Sequence, residues 1–274
     1  MLVTRRAALK GIVATTVGAV TGAGAYGVAY ERHHIGTTNA TLPVSGLPPS
    51  LDGLRIGFVT DVHHSAMVPA DDVRTAVDLV TAARPDLIVL GGDYVTWGDR
   101  AYVGPVAELL APLSAPHGVY AILGNHDDDR DMPAALTAKG IQVLKDARTR
   151  VEIHGEGLEL AGIRFWTRKT SDIARVVGQA RDTVLLLAHD PRRLDEAADL
   201  DVPAVLSGHT HGGQVVIPGV GAVARRRFPV LSGLGARDNT WMFVSRGIGT
   251  VYVPIRINCP PEVAIVTLKR KSEI

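Results

Sequence analysis

Leu54-Arg55-Ile56-Gly57-Phe58-Val59-Thr60-Asp61-Val62-His63 joins a short apolar run to a carboxylate and an imidazole two residues apart. Asp86-Leu87-Ile88-Val89-Leu90-Gly91-Gly92-Asp93 repeats the plan. Between them, residues 71–83 place Val73, Val77 and Val80 on one helical face. Asp71 and Asp72 occupy that helix's first turn, where negative charge suits the free N–H groups, and Pro85 follows its end. A helix is predicted over 101–110, interrupted at Pro105, and a third strand over 119–123. Strand, helix, strand, helix, strand is the pattern of a parallel α/β layer.

Outward from this stretch, 184–188 and 204–206 read as short buried strands separated by a helical segment over 194–198. Further β pattern lies at 158–161, 241–244 and 263–268, and no repeat is visible. The expectation is one α/β domain over 51–270 with two facing sheets. Residues 31–50, with Pro43, Gly46, Pro48 and Pro49, read as a linker. Hydrophobic residues make up 46% and charged residues 21%, an ordinary globular balance, and the formal charge of +1 gives nucleic acid no electrostatic footprint. Cys259 stands alone, which excludes an internal disulfide and a multi-cysteine zinc site.

Residues 1–30 differ in kind. Arg5, Arg6 and Lys10 precede an uncharged run from 11 to 30, the order of an export signal. The paired arginines with Leu9 three residues on are similar to a twin-arginine signal, and the glycines of the run weaken it as an anchor. An ordinary signal or a single membrane-spanning helix is the alternative. Ala23-Gly24-Ala25 offers a cleavage pattern. The expected setting is the periplasm or the outer face of the plasma membrane, with the twin-arginine export machinery and the membrane as partners.

Each apolar run ends in polar residues: Asp61-Val62-His63, Gly92-Asp93, Gly124-Asn125-His126-Asp127, His189-Asp190 and Gly208-His209-Thr210-His211. Carboxyl ends of parallel strands share one edge, where ligands bind. Two Asp, one Asn and five of the ten histidines would therefore converge. On an extended segment residues i and i+2 point the same way, so Asp61 and His63 could hold one ion. Oxygen and imidazole donors without thiolate suit Mn, Fe, Zn or Ni. The glycines before Asp93, Asn125 and His209 are expected to permit tight turns.

These blocks together resemble the calcineurin-like metallophosphoesterases over about residues 52–268, and the ending Ile257-Asn258-Cys259-Pro260-Pro261-Glu262 resembles their bacterial envelope branch. The resemblance implies two mixed β-sheets packed face to face with helices outside, an α/β/β/α sandwich. It implies two divalent metal ions: Asp61, His63 and His211 on the first, Asn125, His189 and His209 on the second, Asp93 bridging both. His126 would protonate the leaving oxygen. Two such ions ~3.5–4 Å apart can share a hydroxide that attacks phosphorus. The implied activity is hydrolysis of a phosphodiester or pyrophosphate in a lipid- or nucleotide-linked envelope molecule. A nuclease, a phosphomonoesterase and a non-catalytic metal-binding envelope protein are the alternatives.

Protein phosphatases of this superfamily carry Asp and Arg just after Gly-Asp-Tyr-Val, where this chain has Thr96 and Trp97. The usual carboxylate partner of the catalytic histidine is thus absent there, and Asp127 becomes the candidate. His64 should point away from the first ion. Arg225, Arg226 and Arg227 read as a solvated loop or an anion-binding cluster, and Arg246 and Arg256 as salt-bridge or phosphate-reaching residues. Trp97, Trp166 and Trp241 read as core or cleft-wall side chains.

Overall fold

The computed structural model describes residues 4–222 and 227–271. In chain order the elements are α1 (Arg5–Ala29), β1 (Gly36–Val44), β2 (Arg55–Val59), α2 (Ala70–Ala82), β3 (Leu87–Leu90), α3 (Val103–Leu110), β4 (Val119–Ala121), α4 (Asp131–Thr137) and β5 (Gln142–Val143). They continue with β6 (Ala147–Ile153), β7 (Glu156–Gly162), α5 (Thr170–Val177), β8 (Thr183–Leu187), α6 (Leu194–Asp199) and β9 (Ala204–Ser207). The last are β10 (Val216–Ile217), β11 (Gly221–Ala222), β12 (Gly233–Arg237), β13 (Thr240–Val244) and β14 (Glu262–Arg270).

Two six-stranded mixed sheets result, in the orders β1-β14-β2-β3-β4-β5 and β12-β13-β9-β8-β7-β6. Strands β2 to β5 run parallel in the first, and β7, β8, β9 and β13 run parallel in the second. The apolar runs of the sequence are nearly continuous because both faces of each central strand are covered. In β3, Leu87 and Val89 enter the core between the sheets while Ile88 and Leu90 face α2 and α3. In β8, Leu185 and Leu187 enter the same inter-sheet core, and Val184 and Leu186 face α5 and α6. Three apolar interfaces therefore separate four layers, helix on sheet on sheet on helix.

Residues 31–50 are not a linker. Gly36–Val44 is β1, an edge strand paired in parallel with β14. Leu42, Val44 and Leu47 are buried between the sheets, so the prolines mark a strand edge and a turn and not a disordered span. Strands β5 and β6 are also additions to the sequence reading; β6 is half-polar and pairs only at one edge. Pro105 falls in the first turn of α3, where its missing N–H costs nothing, so it starts that helix instead of interrupting it. Helix α1 carries exposed Leu9, Val13, Val17 and Val20. No helix among the described residues is long and apolar enough to cross a membrane, so the spanning-helix alternative is not met there.

Candidate metal centre

The loops after β2 and β3 run side by side, with Asp61 N–H donating to Gly92 O at 2.9 Å and His63 N–H to Asp93 O at 3.0 Å. The second sheet closes on them. His209 N–H lies 3.0 Å from each Asp61 carboxylate oxygen, and His189 Nδ1 donates to Gly91 O at 2.7 Å. Asp61, His63 and His211 present ligand atoms within 4.8 Å of one another, as do Asp93, His189 and His209. Asp61, His63, Asp93, His189 and His211 are buried; Asn125 and His209 are partly so. Six of the seven expected ligands thus gather with His126 at one edge of the sandwich, and the seventh, Asn125, adjoins His126 in the same loop.

How they get there differs from the extended-strand expectation. Asp61, His63, Asp93, His209 and His211 have φ of 53°, 49°, 57°, 70° and 51°, all left-handed. Asp and His tolerate that region better than most residues, and such clustering at one place is how folds hold strain at a site. The glycine reading also changes. Gly92 does turn, at φ 94°, but Gly124 and Gly208 are glycine for space. A Cβ on Gly124 would sit 2.0 Å from Asp93 Oδ1, and one on Gly208 would sit 2.3 Å from Asp61 Oδ2.

Hydrogen bonds from behind set the tautomers. His63 Nδ1 faces Thr96 Oγ1 at 3.3 Å, His189 Nδ1 faces Gly91 O at 2.7 Å, and His211 Nδ1 faces Gly249 O at 3.3 Å. Each Nδ1 donates there, the Thr96 hydroxyl in turn reaching His63 O, so each Nε2 keeps a lone pair aimed inward. His126 is wired the other way: Trp97 N–H donates to its Nδ1 at 2.9 Å, which leaves the proton on Nε2. His126 lies near His63 and Asp93 and could complete a ligand triad by distance. Its tautomer assigns it instead as a donor toward whatever the other residues hold.

Among the expected ligands, three buried atoms have no hydrogen-bond partner: His63 Nε2, His189 Nε2 and Asn125 Oδ1. All three are lone-pair donors. His189 Nε2 lies 3.1 Å from Asp93 Oδ2, but the contact lacks hydrogen-bond alignment and is charge proximity only. Orphaned buried polar atoms cost roughly 1–3 kcal/mol each, and cations held by the two ligand groups would satisfy all three. The electrostatics agree. Burial pushes Asp61 up to about 6, against His189 and with help from Asp93. Burial drives His63 down to about 3 and His209 to about 4, and holds His211 well below its ordinary value. Burial also opposes charge on His189, yet Asp93 and Asp61 outweigh it and raise His189 to about 10. Asp93, against its own burial, is held below the usual carboxylate range by His189, His63 and His126. Asp93 and Asp61 thus favour positive charge at His189 Nε2, and a cation held there would take the place of that proton and free the Nε2 lone pair.

Asp127 is not the partner of His126. Its carboxylate accepts N–H bonds from Asp93 at 2.7 Å, Tyr94 at 2.8 Å and Gly124 at 2.9 Å, fastening the Asp93 turn to the Asn125 turn. Neither Arg246 nor Arg256 points at the centre. Arg246 pairs with Glu262, while buried Arg256 donates to the carbonyls of Arg246, Gly247, Gly249 and Cys259. Arg256 therefore braces the Gly249 carbonyl that orients His211, a role that sequence reasoning missed. His64 is buried beside Tyr102 with Nδ1 2.9 Å from Val68 O, away from the cluster. Trp97 packs on His126 at 4.5 Å between centroids, and Phe165 on His209 at 5.1 Å, so aromatic walls flank both ends. Trp241 packs on the inter-sheet core. Arg225 and Arg226 lie outside the described residues; Arg227 is exposed. Two cavities, of about 620 and 710 Å³, lie beside α2–α3 and near Pro48, where no comparable set of ligand atoms converges among the described residues.

A four-layer sandwich that gathers carboxylate, amide and imidazole donors at one edge defines a metal-dependent phosphoester hydrolase. The chain belongs to the calcineurin-like phosphoesterase family, whose model matches residues 54–213. It is 32% identical over 278 residues to the uncharacterized metallophosphoesterase YkuE of Bacillus subtilis, covering 97% of each chain. It is 32% identical over 225 residues to the phosphodiesterase YaeI of Escherichia coli, covering 78% of this chain and 82% of that one. Among solved structures, TT1561 of Thermus thermophilus shares the fold at a TM-score of 0.51 and 10% identity, over 72% of this chain and 90% of that one.

Proposed function

We propose that this protein is an exported phosphodiesterase or pyrophosphatase, acting on a lipid- or nucleotide-linked envelope molecule with two divalent ions. The observation that carries the reading is the division of tautomers: three imidazoles offer lone pairs and one offers a proton. Asp61, His63 and His211 would hold one ion and Asn125, His189 and His209 the other, with Asp93 between them. When bound, the ions supply Lewis-acid polarisation of the phosphoryl oxygen and activation of water. The residues do the rest. Thr96, Gly91 and Gly249 fix the ligand rings, and the backbone N–H of His126 holds Asp93 Oδ1 at 2.8 Å. His126 Nε2–H faces the position of the departing ester oxygen and donates to it.

The preference for diesters rests on the relative named as a phosphodiesterase and on the absent phosphatase-type Asp and Arg after Val95. Export rests on Arg5-Arg6 ahead of the uncharged run. Metal analysis of protein folded in the cell, followed by turnover of bis-p-nitrophenyl phosphate, monoesters and pyrophosphates with Mn, tests the activity. Cleavage of monoesters alone would defeat the diester assignment. For export, Arg5→Lys with Arg6→Lys should block secretion, and undiminished secretion would overturn it.

A further inference from the structure

Exposed large apolar side chains are not scattered over this molecule. Outside α1 and its junction at Tyr30, those among the described residues are Trp97, Trp166, Ile217, Val220, Leu234, Tyr252 and Val253. All but Leu234 connect, through contacts or adjoining residues, to the loops that carry the ligands. Trp97 is 64% exposed, packs on His126 and meets Tyr252, itself 73% exposed, at 5.3 Å. Val253 follows Tyr252 in the loop that runs to Ile257, and Ile257 pairs with Val215 at the root of the β10–β11 hairpin. That hairpin presents Ile217 and Val220. Across the cleft, Trp166 is 67% exposed and is joined through Phe165 to His209. Arg168 lies 4.9 Å over the Trp166 ring.

Helix α1 leaves from the same face. Gly27 O accepts Arg256 N–H at 3.2 Å, and a Cβ on Gly27 would strike Arg256 O at 2.4 Å, so the helix end is seated on the 252–257 loop. Arg32 continues the junction by donating to Met67 O at 2.8 Å. Beyond this seat, α1 exposes Tyr26, Val20, Val17, Val13 and Leu9, and begins with Arg5, Arg6 and Lys10. Isolated exposed hydrophobics need no explanation, but a group of Trp, Tyr and Val side chains linked to one cluster of ligand residues does. Amphipathic aromatic rings favour the boundary between headgroups and acyl chains, and cations beside them favour anionic lipid.

We propose that this face docks on a lipid surface. Trp97, Tyr252, Val253, Ile217, Val220 and Trp166 enter the headgroup layer, and the metal cleft opens onto it. A rigid protein seated on the same rim would cover His126 and seal the cleft, whereas a lipid layer delivers phosphoesters into it. The cleft's substrate is then the phosphoester headgroup of a membrane amphiphile, presented from the layer with its apolar part left behind. This inference rests on the hydrolase reading of the cleft, but its test does not.

The full-length protein is mixed with vesicles of phosphatidylethanolamine and phosphatidylglycerol, with and without bromine on the acyl chains. Bromine should quench emission from Trp97 and Trp166, assigned with Trp97→Phe and Trp166→Phe, while Trp241 stays unquenched. Tyr252→Ser with Val253→Ser should weaken vesicle binding about tenfold, the order expected for withdrawing two partly buried apolar side chains. The same variant should turn over soluble bis-p-nitrophenyl phosphate like the parent, and Leu234→Ser should change neither property. Vesicle binding without quenching of Trp97 and Trp166 would mean that α1 attaches alone, and would overturn the proposal. So would a concentration-dependent oligomer abolished by the double substitution, which would make the face a protein interface. Quenching in a protein that cleaves no phosphoester would leave the docking intact and sink the catalytic reading.

Discussion

Asp127→Asn separates two roles for a residue that sequence alone places beside the catalytic histidine. In the structure the carboxylate accepts three backbone N–H bonds, two at Oδ2 from Asp93 and Gly124 and one at Oδ1 from Tyr94. The amide of asparagine can keep its oxygen on the side that serves two of them. Its NH2 then faces Tyr94 N–H, and one buried donor loses its acceptor. Leaving such a group unpaired costs roughly 1–3 kcal/mol. At about 2–4 °C per kcal/mol for a domain of this size, Tm should fall by ~2–12 °C. Metal state modulates the effect. Without metal, burial and then Asp93 push Asp127 up to about 7. A folded-state pKa raised from 3.8 stabilises fully below 3.8 and ceases to do so as pH rises through about 7. The metal-free parent is thus already handicapped above pH 7, and the neutral amide removes that handicap. Bound cations offset the charge of Asp93, so the full loss should appear in the metal-loaded protein and a smaller one after chelation. Scanning calorimetry at pH 8 with and without Mn measures both. An unchanged Tm in the loaded protein, together with a displaced pH–rate profile, would restore Asp127 as the partner of His126 and refute the clamp.

Three further outcomes follow from the same geometry. Gly124→Ala places a methyl where Asp93 Oδ1 lies 2.0 Å away, so metal content should collapse while circular dichroism stays native; retained metal would show that Asp93 has room to move. His126→Ala should lower kcat by ~10²–10⁴ on alkyl esters and by much less on p-nitrophenyl esters, and equal losses would exclude donation to the leaving oxygen. Metal binding must displace the proton that Asp93 and Asp61 hold on His189, whose pKa is raised to about 10. Apparent Mn affinity should therefore rise about tenfold per pH unit from pH 7 to 9, and calorimetry in buffers of different ionisation enthalpy should count the released proton. A pH-independent affinity would contradict a protonated His189.

What the sequence discloses here follows from periodicity and strand ends. Buried strands such as Leu87–Leu90 read directly because apolar residues must fill both faces, and the polar residues after them read as a site because nothing else explains their recurrence. The edge strand Gly36–Val44 does not read, since one exposed side and the prolines in and after it give it the composition of a linker. Its partner β14 lies over two hundred residues away, a pairing no local pattern signals. The ligands are legible as residue types, but the backbone that aims them is not. Left-handed φ at Asp61 and His63 cannot be told from an extended D-x-H by spacing.

The residues behind the ligands are the least legible, and they decide the chemistry. Imidazoles of one composition divide into acceptors and one donor only through what meets their Nδ1 atoms, chiefly backbone groups: Gly91 O, Gly249 O and Trp97 N–H. Backbone atoms carry no sequence signature, so His126 and His211 look alike until their Nδ1 partners are seen. The same atoms also explain why Trp97 can stand where phosphatases of the superfamily carry charge. An amide donating to Nδ1 presents Nε2–H to the cleft without a carboxylate, and it frees the Trp97 side chain to face outward. The ring then rests on His126 on one side and meets Tyr252 at 5.3 Å on the other, so the residue that orients the acid also walls it.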